Sequence, residues 1–299
     1  MTAVRTPTAS HRIGLVGAGI GTSLSPALHT REAHELGLTD YRYDLLDIDD
    51  RGIAAESAGD LVRTAFAEGW TGFNVTHPCK QTVIAGLDDL SDNARSLGAV
   101  NTVVVRGGKL IGHNTDHSGF LAGLRRGLPD ARLEVVQVVG AGGAGSAVAY
   151  ALAAAGVPEL RIADVDPARA ADVCTRVSGA FEHTTAVAVP LGDVPAGLAS
   201  CTGLVNATPI GMVGHPGSPV DAAALHPDLW VADVVYRPLR TELLSAAERA
   251  GCAVLDGGQM LVAQAADTFE LLTGHAADRT RMRAHLTELL AAQQVTAGH

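Results

Sequence analysis

The sequence predicts a two-domain α/β protein in which one domain is built on a doubly wound parallel sheet. The chain has 299 residues, 47% of them hydrophobic, which is more than one compact core usually holds. Short apolar runs alternate with helical patterns along the whole chain, as expected for an α/β fold. The second half also contains a glycine-rich turn between an apolar run and a helical pattern.

The first half predicts an α/β domain of its own. Ser25 and Pro26 are typical of the N-cap and the first residue of a helix. Gly107 and Gly108 separate two strand patterns and predict a hairpin. The predicted strands are 12–16, 41–48, 72–76, 101–105 and 109–112, and the predicted helices are 25–37, 53–68 and one that begins at 80–86.

The second half has the pattern of a parallel sheet covered by helices. A continuous apolar run at 133–139 is typical of a buried parallel strand. Further strands are predicted near 160–163, 203–206, 230–235 and 252–255, and helices at 117–127, 257–272 and 278–292. We expect a substrate-binding domain at 1–116, a Rossmann-type domain at 117–256, and C-terminal helices at 257–299 that pack back on the first domain, with crossings near 114–118 and 255–258.

Charge and composition narrow the classes of partner. The net charge of −10 disfavours nucleic acid and anionic membrane surfaces, because both attract basic faces. The four cysteines are far apart, and no CxxC, HxH or HExxH pattern occurs, so we expect neither a disulfide framework nor a metal. Residues 1–11 are polar and lack the apolar core of a signal peptide, and the longest apolar stretch, 147–155, is too short to span a bilayer. We expect a cytoplasmic monomer or homodimer.

The glycine-rich turn predicts a dinucleotide site. Gly140, Gly142 and Gly145 have GxGxxG spacing, follow a strand pattern and open a helical one. These glycines permit a tight turn, close approach of a pyrophosphate and close helix packing, while the helix N-terminus attracts phosphate. The residues of this turn predicted to bind the cofactor are Gly140, Ala141, Gly142, Gly143 and Ala144.

The end of the next predicted strand indicates which dinucleotide binds. Asp164 stands there, and a carboxylate at this place accepts bonds from the ribose hydroxyls and repels a 2′-phosphate. Val165 and Asp166 follow in place of a cation, so the sequence predicts NAD as the cofactor. Arg169 either covers the adenine or is a solvated helix residue.

Several further segments carry polar residues in a fixed order along the chain. They are Thr22-Ser23-Leu24-Ser25-Pro26, Gly72-Phe73-Asn74-Val75-Thr76-His77-Pro78-Cys79-Lys80, Gly98-Ala99-Val100-Asn101-Thr102, Gly112-His113-Asn114-Thr115-Asp116, Asn206-Ala207-Thr208-Pro209-Ile210-Gly211-Met212, Asp233-Val234-Val235-Tyr236 and Met260-Leu261-Val262-Ala263-Gln264-Ala265. From about residue 12 to residue 275, the ordered set resembles the shikimate and quinate/shikimate dehydrogenases.

The resemblance implies a role for each polar residue. Lys80 and Asp116 would be the catalytic pair, in which Lys80 takes the hydroxyl proton as hydride leaves for NAD. A lysine in a partly desolvated cleft can exchange a proton near neutral pH. Ser23 and Ser25 would bind the substrate carboxylate. Thr76, Asn101 and Gln264 would bond the ring hydroxyls, and Tyr236 would add a further contact. Asn206, Thr208 and Val235 would line the nicotinamide side of the cofactor site, to which Gly257 also belongs.

Two departures distinguish the chain from biosynthetic shikimate dehydrogenases. Those enzymes open with Gly-Asn-Pro-Ile-x-His-Ser-x-Ser-Pro. In residues 17–26 of this chain, Gly19 stands in place of the first proline and Thr22 in place of the histidine. They also carry an NADP-type Asn-Arg-Ser/Thr where Asp164 and its neighbours stand. Both differences favour the NAD-linked quinate/shikimate type.

Other interpretations stay open on the sequence. His113 or His117 could serve as the base beside Asp116, Ser25 and Asn101 could be simple caps, and Gln264 could face solvent. The substrate could be aminoshikimate, and the chain could also be a methylene-tetrahydrofolate-type dehydrogenase or a non-catalytic NAD sensor.

Overall fold

The computed structural model describes residues 10–297. Residues 1–9, which hold most of the segment considered for a signal peptide, lie outside that range. The described residues form two compact units, one made of residues 10–115 together with 265–297, and one made of residues 116–264. The predicted domain ranges 1–116, 117–256 and 257–299 stay a prediction. The boundary between the two compact units in the last part of the chain falls at 264/265.

The first unit contains a mixed sheet. Its strands are β1 (His11–Gly17), β2 (Tyr41–Asp47), β3 (Gly72–Val75), β4 (Asp89–Leu90), β5 (Thr102–Arg106) and β6 (Lys109–His113), in the order β2-β1-β3-β5-β6-β4. β1 pairs in parallel with β2 and β3, and β5 is antiparallel to both β3 and β6. The carboxyl ends of β1, β2 and β3 therefore lie at one edge of the sheet.

The hairpin between β5 and β6 has the predicted two-residue turn. Arg106 and Lys109 are cross-strand partners, and Gly107 and Gly108 between them have φ angles of 57° and 76°. Two successive left-handed residues form the turn whose twist matches that of paired strands, and glycine adopts this conformation without a steric penalty.

Helices cover the first sheet on both faces. They are α1 (Ser25–Glu35), α2 (Ala58–Ala67) and α3 (Asp92–Leu97), with 3-10 turns at Ile20–Thr22, Ala55–Ser57 and Thr82–Gly86. One apolar cluster joins α2 to the sheet around Val62, Phe73 and Val103, and a second joins α1 to it around Ile13, Tyr41 and Phe269.

The second unit contains a parallel sheet. Its strands are β7 (Val135–Val139), β8 (Glu159–Ala163), β9 (Thr185–Ala188), β10 (Gly203–Asn206), β11 (Trp230–Asp233) and β12 (Ala253–Leu255), in the order β12-β11-β10-β7-β8-β9. The order reverses next to β7, as in a classical doubly wound dinucleotide-binding sheet. Its helices are α4 (Asp116–Gly127), α5 (Gly143–Ala154), α6 (Pro167–Ala180), α7 (Val194–Gly197) and α8 (Glu242–Arg249), with 3-10 turns at Leu191–Asp193, Leu198–Ser200 and Ala222–Ala224.

Two C-terminal helices follow. Helix α9 (Gly257–Thr273) contributes its N-terminal part to the second unit and its C-terminal part to the first. Helix α10 (Arg279–Ala297) belongs to the first unit, where Arg281 donates to both carboxylate oxygens of the fully buried Glu32 on α1, at 2.9 and 2.6 Å. Within the described range no helix combines the length and apolar character needed to cross a bilayer.

Several local predictions were wrong. Helix α1 begins at Ser25 itself, so Leu24 and not Ser25 occupies the N-cap, and no side chain caps this end. The predicted helix at 53–68 is a 3-10 turn followed by the shorter α2, and Lys80 lies in a turn before a 3-10 segment. The strands β4 and β9 and the helix α3 were missed, because β4 has two residues, α3 has six, and β9 is a largely exposed strand of four.

Candidate active site

Most of the predicted cofactor residues lie at the carboxyl edge of the second sheet. Gly140 follows β7, Asp164 follows β8 and Val235 follows β11 closely. Asn206 ends β10, and Gly257 follows β12 at the start of α9. Because these strands are parallel, the sequence-distant residues share the edge at which ligands of doubly wound sheets bind.

The glycine-rich turn has a distinct physical requirement at each glycine. Gly140 has a φ of 103°, and a side chain there would meet the carbonyl oxygen of Ala207 at 2.7 Å. A side chain at Gly145 would overlap the carbonyl of Gly140. Gly142 is exposed, and a methyl group there would meet none of the described atoms within 4 Å. The turn is therefore packed at Gly140 and Gly145, and at Gly142 it is open to a phosphate in front of the N-terminus of α5.

The carboxylate of Asp164 is held beside this turn. Its two oxygens accept the backbone N–H of Ala141 at 2.6 Å and that of Asp166 at 2.9 Å. A carboxylate can accept about four hydrogen bonds, so the ribose hydroxyls can donate to the same oxygens. Asp166 caps α6 by accepting from Ala168 at 3.0 Å, and it pairs with Arg169 at 3.2 Å, where Arg169 is mostly exposed. The end of β8 thus places two carboxylates beside one paired cation.

A buried polar network holds the loops that follow β10 and β11. The carboxamide of Asn206 donates to the Asp233 carboxylate at 2.9 Å and accepts from the backbone and the hydroxyl of Thr208 at 3.0 and 2.7 Å. Asp233 also accepts from Thr241 at 2.7 Å and from the backbone of Val235 at 2.9 Å. Burial raises the pKa of Asp233 to about 6, although these donors oppose the shift. Asn206, Thr208 and Val235 are thereby fixed together.

Asp233 has a part in this site that the sequence interpretation did not assign. An acidic residue that directly follows the apolar run at 230–232 is the sequence signal that could have identified it. Gly257 completes the same region, because a side chain there would overlap the backbone carbonyls of Val234 and Val235.

In the first unit, the predicted substrate residues Thr76, Lys80 and Asn101 are placed by neighbouring backbone segments. Thr76 follows β3, and a side chain at Gly17, which ends β1, would overlap its methyl group. The carbonyl of Lys80 accepts from Val100 at 2.8 Å, while the carbonyl of Asn101 accepts from Val75 at 2.8 Å. The half-buried Lys80 and the buried Asn101 therefore lie on adjacent segments beside the end of β3.

Ser23 and Ser25 lie on the loop that follows β1 and at the start of α1. The hydroxyl of Ser23 accepts from the backbone N–H of Ser25 at 3.3 Å. Earlier in this loop, Gly19 and Ile20 donate to the buried carboxylate of Asp47 at 3.1 and 2.8 Å. Asp47 ends β2, the neighbour of β1, and it fixes the loop where the proline of the biosynthetic motif is absent. Nothing in the sequence patterns indicated Asp47.

The remaining predicted substrate residues belong to the second unit. Asp116 is buried and opens α4 directly after Thr115. Gln264 on α9 lies against α4, where the lack of a side chain at Gly119 permits close approach to its backbone. Tyr236 is half-buried, and burial raises the pKa of its hydroxyl.

The two histidines considered as alternative bases have different surroundings. His113 ends β6 in the first unit, and burial lowers its pKa, with a further lowering by Arg106. His117 lies on α4 and meets Tyr150 edge-on, with ring centroids 5.6 Å apart. Among the described residues, no group of three or more histidine, cysteine, aspartate or glutamate side chains is arranged to hold a metal ion.

Together, the strand order of the second sheet, the packed glycine turn and the carboxylate after β8 define a class. The chain is an oxidoreductase with a Rossmann-type unit for a nicotinamide dinucleotide of the NAD(P) type. Two family models match it: the shikimate dehydrogenase substrate binding domain over residues 15–103 and the shikimate 5′-dehydrogenase C-terminal domain over residues 257–287. The chain belongs to the shikimate dehydrogenase family.

Similar proteins differ in the cofactor that their names carry. A shikimate dehydrogenase (NADP(+)) of Streptomyces avermitilis is 53% identical over 94% of this chain and 96% of its own length. A quinate/shikimate dehydrogenase (NAD(+)) of Corynebacterium efficiens is 43% identical over 93% of this chain and 98% of its own. The solved structure of quinate dehydrogenase from Corynebacterium glutamicum in complex with NAD superposes with a TM-score of 0.88, at 43% identity, over 93% of this chain and 99% of that chain.

Proposed function

We propose that this protein oxidises one ring hydroxyl of shikimate, quinate or both to the corresponding 3-dehydro acid, reversibly and with NAD. The observation that carries the proposal is the edge of the second sheet, with its packed glycine turn and the carboxylate after β8. The ordered motifs and the similarity to shikimate and quinate/shikimate dehydrogenases support the substrate class. In this reaction the bound nicotinamide supplies the hydride acceptor.

The residues that handle the acid are assigned on the family motifs. We assign the substrate carboxylate to Ser23 and Ser25, whose hydroxyls can hold an anion without a buried charge pair. We assign the ring hydroxyls to Thr76, Asn101 and Gln264, and a further substrate contact to Tyr236. Fixed donors of this kind position the reacting carbon, which is the main contribution a protein makes to hydride transfer.

Lys80 and Asp116 are proposed as the proton-transfer pair. Lys80 accepts the proton of the reacting hydroxyl as its carbon loses hydride, and returns it in the reverse direction. Its half-buried position on the turn after β3, next to the segment that carries Asn101, supports this role.

The chain offers a matched control for Lys80. Its lysines are Lys80 and Lys109, and Lys109 is an exposed residue of β6. We expect Lys80→Ala to lower kcat about 100-fold to 10⁴-fold with NAD binding retained, the usual contribution of a general base. Lys109→Ala should match the wild type. Near-normal turnover of Lys80→Ala would refute the assignment.

The preference for NAD rests on the end of β8. The 53% identical relative is named as an NADP enzyme, but overall identity does not decide cofactor choice, because the 2′-phosphate meets only a few residues. Here Asp164 and Asp166 repel that phosphate, and Arg169, the nearby cation, is already paired with Asp166. The exposed Arg169–Asp166 pair is weak, so its effect on the choice of cofactor is small. The repulsion between Asp164 and the 2′-phosphate is therefore the main cause of the preference for NAD.

Initial rates test the substrate and the cofactor together. Shikimate, quinate and aminoshikimate would each be assayed with NAD and with NADP by absorbance of the reduced cofactor. We expect activity with NAD on shikimate or quinate, and we expect Asp164→Ala to raise the NADP/NAD ratio of kcat/KM. Asp172→Ala is the control, since Asp172 pairs with Arg176 further along α6.

Each outcome of this experiment has a consequence. Activity only with NADP, or an unchanged ratio in Asp164→Ala, would refute the cofactor argument. Activity only on aminoshikimate would replace the substrate. NAD binding without turnover on any acid would indicate a sensor.

We further propose a cytoplasmic monomer or homodimer that binds a small acid and neither nucleic acid nor membrane. The net charge of −10 supports the absence of polyanionic partners. The four cysteines are buried thiols and not disulfides, which supports a reducing compartment. Sedimentation of the purified protein would distinguish the two oligomeric states.

A further inference from the structure

We propose that Thr268 is a positioning residue for the dehydrogenase reaction, acting through a closed ring of hydrogen bonds with Asn101, Thr102 and Thr115. The proposal rests on the proposed function, since Asn101 is assigned to the substrate and Thr115 directly precedes Asp116. All four members of the ring belong to the first unit. They are buried residues, each at most 4% exposed.

The ring closes through four side-chain contacts. The amide nitrogen of Asn101 donates to the hydroxyl of Thr115 at 2.9 Å, and the Thr115 and Thr268 hydroxyls are 2.9 Å apart. The Thr268 and Thr102 hydroxyls are 2.8 Å apart, and the hydroxyl of Thr102 donates to the carboxamide oxygen of Asn101 at 2.9 Å. A backbone bond, from the N–H of Thr115 to the same oxygen at 2.9 Å, fixes which end of the carboxamide is oxygen.

These contacts determine the direction of every bond. The carboxamide oxygen can only accept, so Thr102 uses its single proton on Asn101. Thr268 must then donate to Thr102, and Thr115 must donate to Thr268. Each hydroxyl donates once and accepts once around the ring, an arrangement in which neighbouring bonds reinforce one another.

Thr268 is the member that comes from a distant part of the chain. It lies on α9, 153 residues beyond Thr115, and it is fully buried. Its place needs a small side chain that accepts from one hydroxyl and donates to another, which serine and threonine provide. Without that hydroxyl, Thr115 loses an acceptor and Thr102 loses a donor. The ring opens, and the side chain of Asn101 is held less firmly by the bonds that remain.

Further bonds connect the ring to the strands that carry the site. The carbonyl of Asn101 accepts from the side chain of Asn74 at 3.4 Å, and Asn74 accepts from the hydroxyl of Tyr43 at 2.7 Å. With the backbone otherwise held, loss of Thr268 releases chiefly the side chain of Asn101 and the segment that leads to Asp116. We therefore expect an effect on binding and turnover of the acid and none on the dinucleotide.

Three variants test this inference. Thr268→Val keeps the shape of the side chain and removes its hydroxyl, and Thr268→Ser keeps the hydroxyl. Thr273→Val is the matched control on the same helix. Within the described part of the chain, the hydroxyl of Thr273 bonds to backbone groups alone, the carbonyl of Phe269 and the N–H of His275. For each variant, KM and kcat for the acid, the Kd for the dinucleotide and the Tm are measured, with the kinetics well below the Tm.

We expect Thr268→Val to lower kcat/KM for the acid by about tenfold to 100-fold, the cost of a misplaced contact. The Kd for the dinucleotide should stay unchanged, Thr268→Ser should recover most of the activity, and Thr273→Val should match the wild type. Wild-type kinetics in Thr268→Val, or equal losses in the valine and serine variants, would overturn the inference. An inactive wild type would instead refute the proposed function, so the two failures are distinguishable.

Discussion

Protonation of His29 is expected to limit the acid stability of the first unit. The imidazole on α1 is fully buried against the rings of Tyr43 and Phe269, with centroids 5.1 and 5.9 Å away. The hydroxyl of Tyr41 lies 3.4 Å from its Nδ1. Burial lowers the pKa of His29 from 6.5 to about 4, because the charged ring would lose its water without gaining an anion.

The sign and size of the effect follow from linkage. Above pH 6.5 the histidine is neutral in both states, so the stabilisation is fully present. As the pH falls from 6.5 towards 4, the unfolded chain takes up a proton that the native ring does not. The native state then loses about 1.4 kcal/mol for each pH unit, which amounts to about 2 to 3 kcal/mol between about pH 7.5 and about pH 4.5. This is a large part of the stability of a typical domain.

Denaturant unfolding of two variants measures this loss. His29→Phe fills the same aromatic site without a titratable group, and His34→Phe changes an exposed residue of the same helix. A Trp230→Phe background leaves Trp70, in the core of the first unit, as the fluorescent reporter. This choice matters because two units need not unfold together.

The comparison between pH values isolates the histidine from all other titrating groups. We expect the free energy of unfolding to fall by about 2 to 3 kcal/mol less in His29→Phe than in the reference, and by the same amount as the reference in His34→Phe. An equal loss in His29→Phe and the reference would refute the reasoning.

Three further predictions concern the cofactor edge and the first loop. Gly142→Ala should keep the Tm and weaken dinucleotide binding, because in the protein without cofactor a methyl group there meets only solvent. Gly145→Ala should lower the Tm and also weaken dinucleotide binding, because its methyl group overlaps the carbonyl of Gly140. Asp233→Asn should remove a pH dependence of stability. The pKa of Asp233 is raised from 3.8 to about 6, so the native state takes up a proton before the unfolded chain does. As the pH falls from about 6 to 3.8, the native state therefore gains about 3 kcal/mol relative to the unfolded chain. Asp47→Ala should raise KM for the acid about tenfold with the dinucleotide Kd unchanged, since it releases two loop N–H groups and each lost bond contributes about 1 kcal/mol.

Each of these predictions has an outcome that contradicts it. Equal Tm losses in Gly142→Ala and Gly145→Ala would show that the turn is not divided into packed and open positions. A difference in stability between wild type and Asp233→Asn that is constant with pH would show that the buried carboxylate does not titrate as stated. For Asp47→Ala, the control is Asp44→Ala, which changes an exposed residue of β2. An unchanged KM in Asp47→Ala would show that the loop after β1 does not contribute to substrate binding.

The strands and the cofactor edge could be predicted from the sequence because their signals are local. An apolar run such as that of β7 has to be buried on both faces, and a glycine such as Gly140 has to follow it where the chain turns tightly. The hairpin turn could also be predicted locally, because the positive φ angles it needs at Gly107 and Gly108 are favoured by glycine itself. The N-cap assigned to Ser25 failed because helix ends depend on neighbours beyond the cap residue.

Polar partners brought together by folding could be identified only in the tertiary structure. Asp47 reaches the loop after β1 because β2 is the neighbour of β1, and Asp233 reaches Asn206 because β11 is the neighbour of β10. Thr268 meets residues more than 150 positions earlier in the chain. The spacing of residues in the sequence does not predict such pairings, because the role of a buried hydroxyl or carboxylate depends on the groups to which it bonds in the folded protein.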